Sequence, residues 1–116
     1  MRPRAGDKIF ILKQPWLNLI LSGQKTIEVR GSAYRAGKYF LGHKQIIYGQ
    51  VEIGEPRAIS TMGDWKALEP LHLVSLPALP YKRTFGLPIL SVKKLSKRLP
   101  YVHPKGAMAI VTYQKT

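Results

Sequence analysis

A chain of 116 residues, 45% of them hydrophobic, carries enough apolar surface for one core and too little length for a second of ordinary size. It contains no cysteine, which excludes a disulfide framework, a thiolate zinc site and a cysteine nucleophile, and fits a reducing, cytoplasmic compartment. Nineteen Lys and Arg against six Asp and Glu leave a net charge of +13, which points to an anionic partner, nucleic acid being the commonest polyanion in a cell.

Ile9, Phe10, Ile11 and Leu12 form an uninterrupted apolar run between Lys8 and Lys13, the pattern of a buried strand. The run is too short for the core of a signal peptide, and no segment approaches the roughly 20 apolar residues that cross a bilayer. Pro15 suits a first helical position, Trp16, Leu17, Leu19, Ile20 and Leu21 supply an apolar stripe, and Gly23 can end the turn with a positive φ. These residues predict a short helix over residues 15–22, with Trp16 as a core anchor. From Thr26 the period changes to two, with Ile27 and Val29 toward the core and Thr26, Glu28 and Arg30 on a polar face.

Residues 33–37 read as a loop, and residues 38–43 and 46–53 as two strands joined tightly enough for a hairpin. Gly49 interrupts the second, which predicts a bulge or a close backbone approach of the kind that lets a sheet curl. Ser60 or Thr61 can cap a short helix through Trp65, Ala67 and Leu68, with Asp64 near its positive end and Pro70 closing it. Residues 70–86, which include Pro70, Pro77 and Pro80, read as a long ordered loop. Residues 87–95 and 107–113 complete the pattern as strands, with residues 100–106 between them. The expected fold is mixed α+β, mainly β: one small barrel domain over residues 1–116, of five or six strands with two short helices around a single core.

All six carboxylates lie within residues 1–69. Residues 70–116 hold Lys82, Arg83, Lys93, Lys94, Lys97, Arg98, Lys105 and Lys115 with nothing acidic to offset them, so that half carries a positive field. Within the first half, Lys25 leaves the helix end as the chain enters a strand, and Glu28 and Arg30, two apart, share one face of that strand. Arg grips a phosphate or base edge bidentately, Lys supplies a compact charge, and Glu can orient either cation or accept from an exocyclic amine. The alternative is an ion pair on a solvated face, worth about 0 to 1 kcal/mol.

The passage from Gln14-Pro15-Trp16 to Arg30 resembles the ASCH signature, in which Gln-Pro-Trp opens a helix and Gly-x-Lys-x-x-Glu-x-Arg follows. Gly23, Lys25, Glu28 and Arg30 fit the second part at every defined position. The likeness extends through Arg35-Ala36-Gly37-Lys38 and, more loosely, to His103-Pro104-Lys105-Gly106-Ala107. It implies a PUA-like barrel with a cleft into which Lys25, Glu28 and Arg30 project. Members of that family have been linked to RNA or DNA binding, transcriptional coactivation, RNA cleavage and amide hydrolysis of a modified cytidine, so the fold leaves the activity open. The amidohydrolase branch pairs its Lys with a Thr three residues later and a distant Glu. Here Lys25 holds the Lys position but Glu28 stands where that Thr belongs, which argues against the same mechanism; Thr26 is the nearby hydroxyl.

Three functions follow as alternatives. The first is a binding module for RNA or DNA, single-stranded or with one nucleotide splayed out, or for a nucleotide-like anion. The second is a small enzyme, either amidohydrolase-like or a metal-independent ribonuclease with Lys25 steadying a developing phosphorane and Glu28 as base. The third is a protein-interaction module. Tyr81, Lys82, Arg83 and Phe85 interleave aromatics with cations, which suits exposed bases and their phosphates or, equally, a loop pinned to the barrel. Lys93, Lys94, Lys97 and Arg98 suit a backbone-contacting rim or a protected edge strand. His43, His72 and His103 lack ligand spacing and read as core or surface histidines. No metal, cofactor or membrane partner is expected, and the protein is expected to be a monomer.

Overall fold

The computed structural model describes residues 1–106 and 109–114. In chain order its elements are β1 (Lys8–Ile11), α1 (Trp16–Leu21), β2 (Ile27–Arg30), β3 (Gly37–His43), β4 (Ile46–Ile53), β5 (Arg57–Ile59), α2 (Met62–Ala67), α3 (Glu69–His72), β6 (Thr84–Pro100) and β7 (Ile110–Thr112). The strands form one mainly antiparallel sheet in the order β2-β6-β4-β3-β1-β7, with β5 alongside β6. The parallel pair is β1 with β3. Arg30 on the terminal strand β2 donates to the carbonyl of Ile11 on β1, although three strands separate them in the sheet order. Such a contact requires the sheet to curl back on itself, and the result is the mainly β, barrel-like fold expected.

The apolar run at residues 9–12 is buried on both faces of the sheet. Phe10 and Leu12 enter the barrel interior with Leu17, Ile20, Tyr39, Leu41, Val51, Ile53 and Leu87. Ile9 points the other way and packs with Phe40, Ile47, Tyr101 and Val111. A third cluster of Val29, Ile59 and Trp65 lies under α2. The single core expected is therefore three. Period two would send Ile47 and Val51 to one face, yet they enter different clusters. The register shift at Tyr48 and Gly49 explains it, because one extra residue inverts the facing of everything beyond it. A Cβ on Gly49 would lie 2.7 Å from the Lys93 carbonyl oxygen and 2.8 Å from Leu21 Cδ2, the close approach that the glycine signalled.

Local signals hold elsewhere. Lys44 and Gln45 both have positive φ, which makes the β3–β4 connection a two-residue hairpin turn. Gly23 stops α1 at φ +82°. Thr61 caps α2 by accepting the Asp64 N–H at 3.1 Å. Other expectations change. Pro15 is the N-cap of α1, one place before the helix. Pro70 opens α3 instead of closing α2, a position where its missing N–H costs nothing. The long loop is shortened at both ends, by α3 and by β6, which runs on to Pro100. Among the described residues there are thus seven strands and three short helices, because β5 has only three residues and too little alternation to be read. The last strand is Ile110–Thr112; Ala107, placed in it from sequence, and Lys115 lie outside the described residues.

Candidate functional site

The end of β1, the face of α1 turned toward it, the Lys25–Arg30 segment and the chain after α3 enclose a cleft of about 430 Å³. That volume falls among small-molecule sites, about 300 to 1,000 Å³. Its walls include Leu12, Lys13, Trp16, Lys25, Glu28, Arg30, Val74, Leu76 and Tyr81. It exists because curling sets β2 beside β1, and because α3 and the residues after it close the side that the sheet leaves open.

Lys25 is 1% exposed. Its ammonium donates to the backbone carbonyl of His72, stands 3.8 Å from Glu28 Oε1 and lies 5.0 Å from the centre of the Trp16 ring. Burial pushes its pKa below the ordinary lysine value, the Glu28 carboxylate opposes that shift, and the Arg30 charge adds to it. Glu28 Oε2 accepts from Arg30 Nε at 2.9 Å, Arg30 Nη2 donates to Ile11 O at 3.0 Å, and the guanidinium lies 4.9 Å from the centre of the Phe10 ring. Glu28 is thus bracketed by two cations. With side-chain exposures of 12% and 15% for Glu28 and Arg30, the strand face that reads as polar and solvated is enclosed instead.

One carboxylate against two cations leaves the trio with a surplus positive charge. Lys25 has three N–H donors and Arg30 five, and the hydrogen bonds among the described residues use one and two of them. The remaining donors suit a ligand rich in acceptors. Trp16 and Tyr81 add aromatic surface to the cleft, Lys13 adds a further cation, and Ile11, Leu12, Val74 and Leu76 add apolar walls.

His72 holds the trio from behind. It is fully buried, its ring stacks on Trp65 at 4.0 Å, and its Nδ1 accepts the Val74 N–H at 3.0 Å. An accepting Nδ1 leaves Nε2 as the protonated nitrogen, 2.9 Å from the Trp65 carbonyl that it donates to. Both nitrogens are satisfied in the neutral ring, and burial, helped by the Lys25 charge, holds its pKa below the usual histidine value. Of the two places expected for it, core or surface, His72 takes the core, and its own carbonyl serves as an anchor for Lys25.

Of the candidate residues, Lys25, Glu28, Arg30 and Tyr81 share this cleft. Tyr81 is held by a reciprocal contact in which its N–H donates to Thr84 Oγ1 and its carbonyl accepts from the same hydroxyl. Lys82 and Arg83 are exposed and outside the cleft lining, and the Arg83 guanidinium lies 5.5 Å from the Phe85 ring centre. Lys93 and Lys94 are exposed on β6, and Lys94 lines a separate groove against α1. Trp16 is only half-buried and lines the cleft, so the core-anchor expectation is corrected; Trp65 is the fully buried tryptophan. The signal for Trp16 was its place in Gln-Pro-Trp, whereas Lys13, Val74 and Leu76 carried no signal of their own. Among the described residues, no three His, Asp or Glu gather as a metal site, and no helix is long and apolar enough to cross a membrane.

No family model and no curated protein matches this sequence. Among solved structures, a mutant of the ZmASCH protein from Zymomonas mobilis is similar, with a TM-score of 0.74 at 11% identity, over 98% of this chain and 92% of that one. Identity that low speaks to the backbone alone, and on that ground this chain shares the fold of that ASCH protein.

Proposed function

We propose that this chain binds a nucleotide, free or splayed out of single-stranded RNA or DNA, in the cleft between β1, α1, β2 and the segment after α3. One observation carries the reading: Lys25, Glu28 and Arg30 converge on a cleft of about 430 Å³ that Lys13 and the rings of Trp16 and Tyr81 also line. A nucleotide has the matching parts, an aromatic face to stack and phosphate and carbonyl oxygens to accept N–H bonds. The charge of +13 draws such a ligand in and supports a polynucleotide over a lone base.

Binding is favoured over catalysis by where the groups are directed. Both Glu28 oxygens face a cation, an arrangement suited to orienting Lys25 and Arg30 for a ligand. Thr26, the nearby hydroxyl, is outside the cleft lining.

The test is a fluorescence titration with nucleoside monophosphates and with a short single-stranded oligonucleotide. Stacking on Trp16 quenches tryptophan emission, and Trp16→Phe abolishes the quench while buried Trp65 continues to emit. Lys25→Met and Arg30→Met each weaken binding by about 1.5 to 3 kcal/mol, the worth of a charge-assisted contact. Affinity left intact in all three variants would remove the cleft from recognition, and cleavage of the oligonucleotide lost in Lys25→Met would transfer the assignment to an enzyme.

A further inference from the structure

A second groove lies between α1 and β6. It has a volume of about 340 Å³ and is lined by Asn18, Ser22, Tyr48, Lys94 and Arg98 with two leucines, and no residue in the lining is acidic. It is distinct from the cleft, and helix geometry shows why. At about 100° per residue, Asn18, Leu21 and Ser22 lie roughly 140° to 240° around the axis from Trp16. The helix therefore presents Trp16 to the cleft and the opposite side to the groove.

The groove is shaped by an irregularity in β6. Gly49 pairs with Lys94 and Ile47 with Leu99, so residues 95–98 of β6 stand opposite Tyr48 alone. The surplus chain swells outward there and sets the Arg98 guanidinium 4.7 Å from the centre of the Tyr48 ring. The strand contributes Lys93, Lys94, Lys97 and Arg98, and no carboxylate lies beyond Glu69 to neutralise them. A ring beside two cations, with the hydroxyl of Ser22 and the amide of Asn18 at the edge, offers one stacking surface and several phosphate donors.

We propose that this groove holds the sugar-phosphate backbone and one stacked base of a single-stranded nucleic acid, with Lys94 and Arg98 on phosphate and Tyr48 beneath the base. The reading of the cleft adds a consequence to this but does not carry it. Because α1 is only about 10 to 12 Å across, one strand of about 4 to 16 nucleotides, the site size of small nucleic-acid-binding barrels, crosses the helix and occupies both sites.

The experiment titrates a fluorescent single-stranded RNA of about 12 nucleotides, within that site size, against the full chain at several salt concentrations. The Lys94→Ala/Arg98→Ala double variant is compared with Arg57→Ala/Lys66→Ala, which removes the same charge from exposed positions outside both sites. Each phosphate contact contributes about 0.7 to the slope of log K on log salt, so the groove variant should lose about 1.4 from its slope while the control keeps the wild-type value. Tyr48→Leu should weaken binding and Tyr48→Phe should retain it. Equal slopes for the two double variants, no binding by the wild type, or equally effective displacement by poly-aspartate would overturn the proposal, the last by pointing to an acidic polypeptide as partner. Lys25→Met separates the two sites: a loss there with the groove variant unaffected sinks the groove alone, and the reverse result sinks the cleft alone.

Discussion

Glu28 is the residue on which the site turns, because Lys25 and Arg30 both depend on its charge in a place with little water. A solvated pair would be worth about 0 to 1 kcal/mol, whereas removing one member of an enclosed pair costs about 3 to 5 kcal/mol. Glu28→Gln keeps an acceptor for Arg30, so a loss near 3 kcal/mol is expected by denaturant melts; a loss below 1 kcal/mol would mean that the face is effectively solvated. Lys25→Met should cost less, about 1 to 3 kcal/mol, since Glu28 keeps Arg30 and only the His72 carbonyl is orphaned. His72 brings a pH dependence. Its folded-state pKa is depressed, so its contribution is full above the unfolded value of about 6.5. Below that, the unfolded chain binds the extra proton and stability falls as pH falls through the folded value. Melts between pH 7.5 and 5 should show this acid-side loss, and His72→Gln should flatten it. At this scale the residue types and spacing of Lys25, Glu28 and Arg30 were legible in the sequence. Their burial was not, because Val74, Leu76 and the His72 carbonyl come from a segment more than 40 residues away.

Elements were legible where a local rule dominates and obscure where tertiary pairing does. The stop at Gly23, the cap at Thr61 and the bulge at Gly49 follow from backbone chemistry confined to a few residues. The short β5 follows from pairing with the start of β6, and the full length of β6 from pairing with β2 and β4, which no local window contains. Pro70 misled because the same ring that ends one helix is well placed to begin the next. Gly49→Ala tests the bulge directly. Its methyl would meet the Lys93 carbonyl at 2.7 Å, and overpacking of this kind costs about 1 to 3 kcal/mol; a melting temperature equal to wild type would show that the strands yield freely. Gln14 is a device that sequence reasoning passed over. Its side-chain oxygen accepts the Asn18 N–H at 3.1 Å, a capping role on a helix whose N-cap is proline, so Gln14→Ala should lower stability by about 1 kcal/mol.

For the whole molecule, the mainly β class and the curled sheet follow from period-two patterning with a glycine break, and the structural likeness to an ASCH protein agrees with them. The division of the interior into three clusters does not follow, because which face a residue takes depends on the bulge and on where α2 and α3 settle. The charge of +13 is the ground for proposing an anionic partner and says nothing about where that partner would sit. Its location is what most needs measuring, and an amide-resolved NMR titration with a nucleoside monophosphate does so most directly. Shifts are expected at the Trp16 indole N–H and at the amides of Lys25, Glu28, Arg30 and Tyr81, with the Trp65 indole unmoved. Shifts confined to the lysines of β6, or none at all at millimolar ligand, would mean that the cleft does not bind the nucleotide.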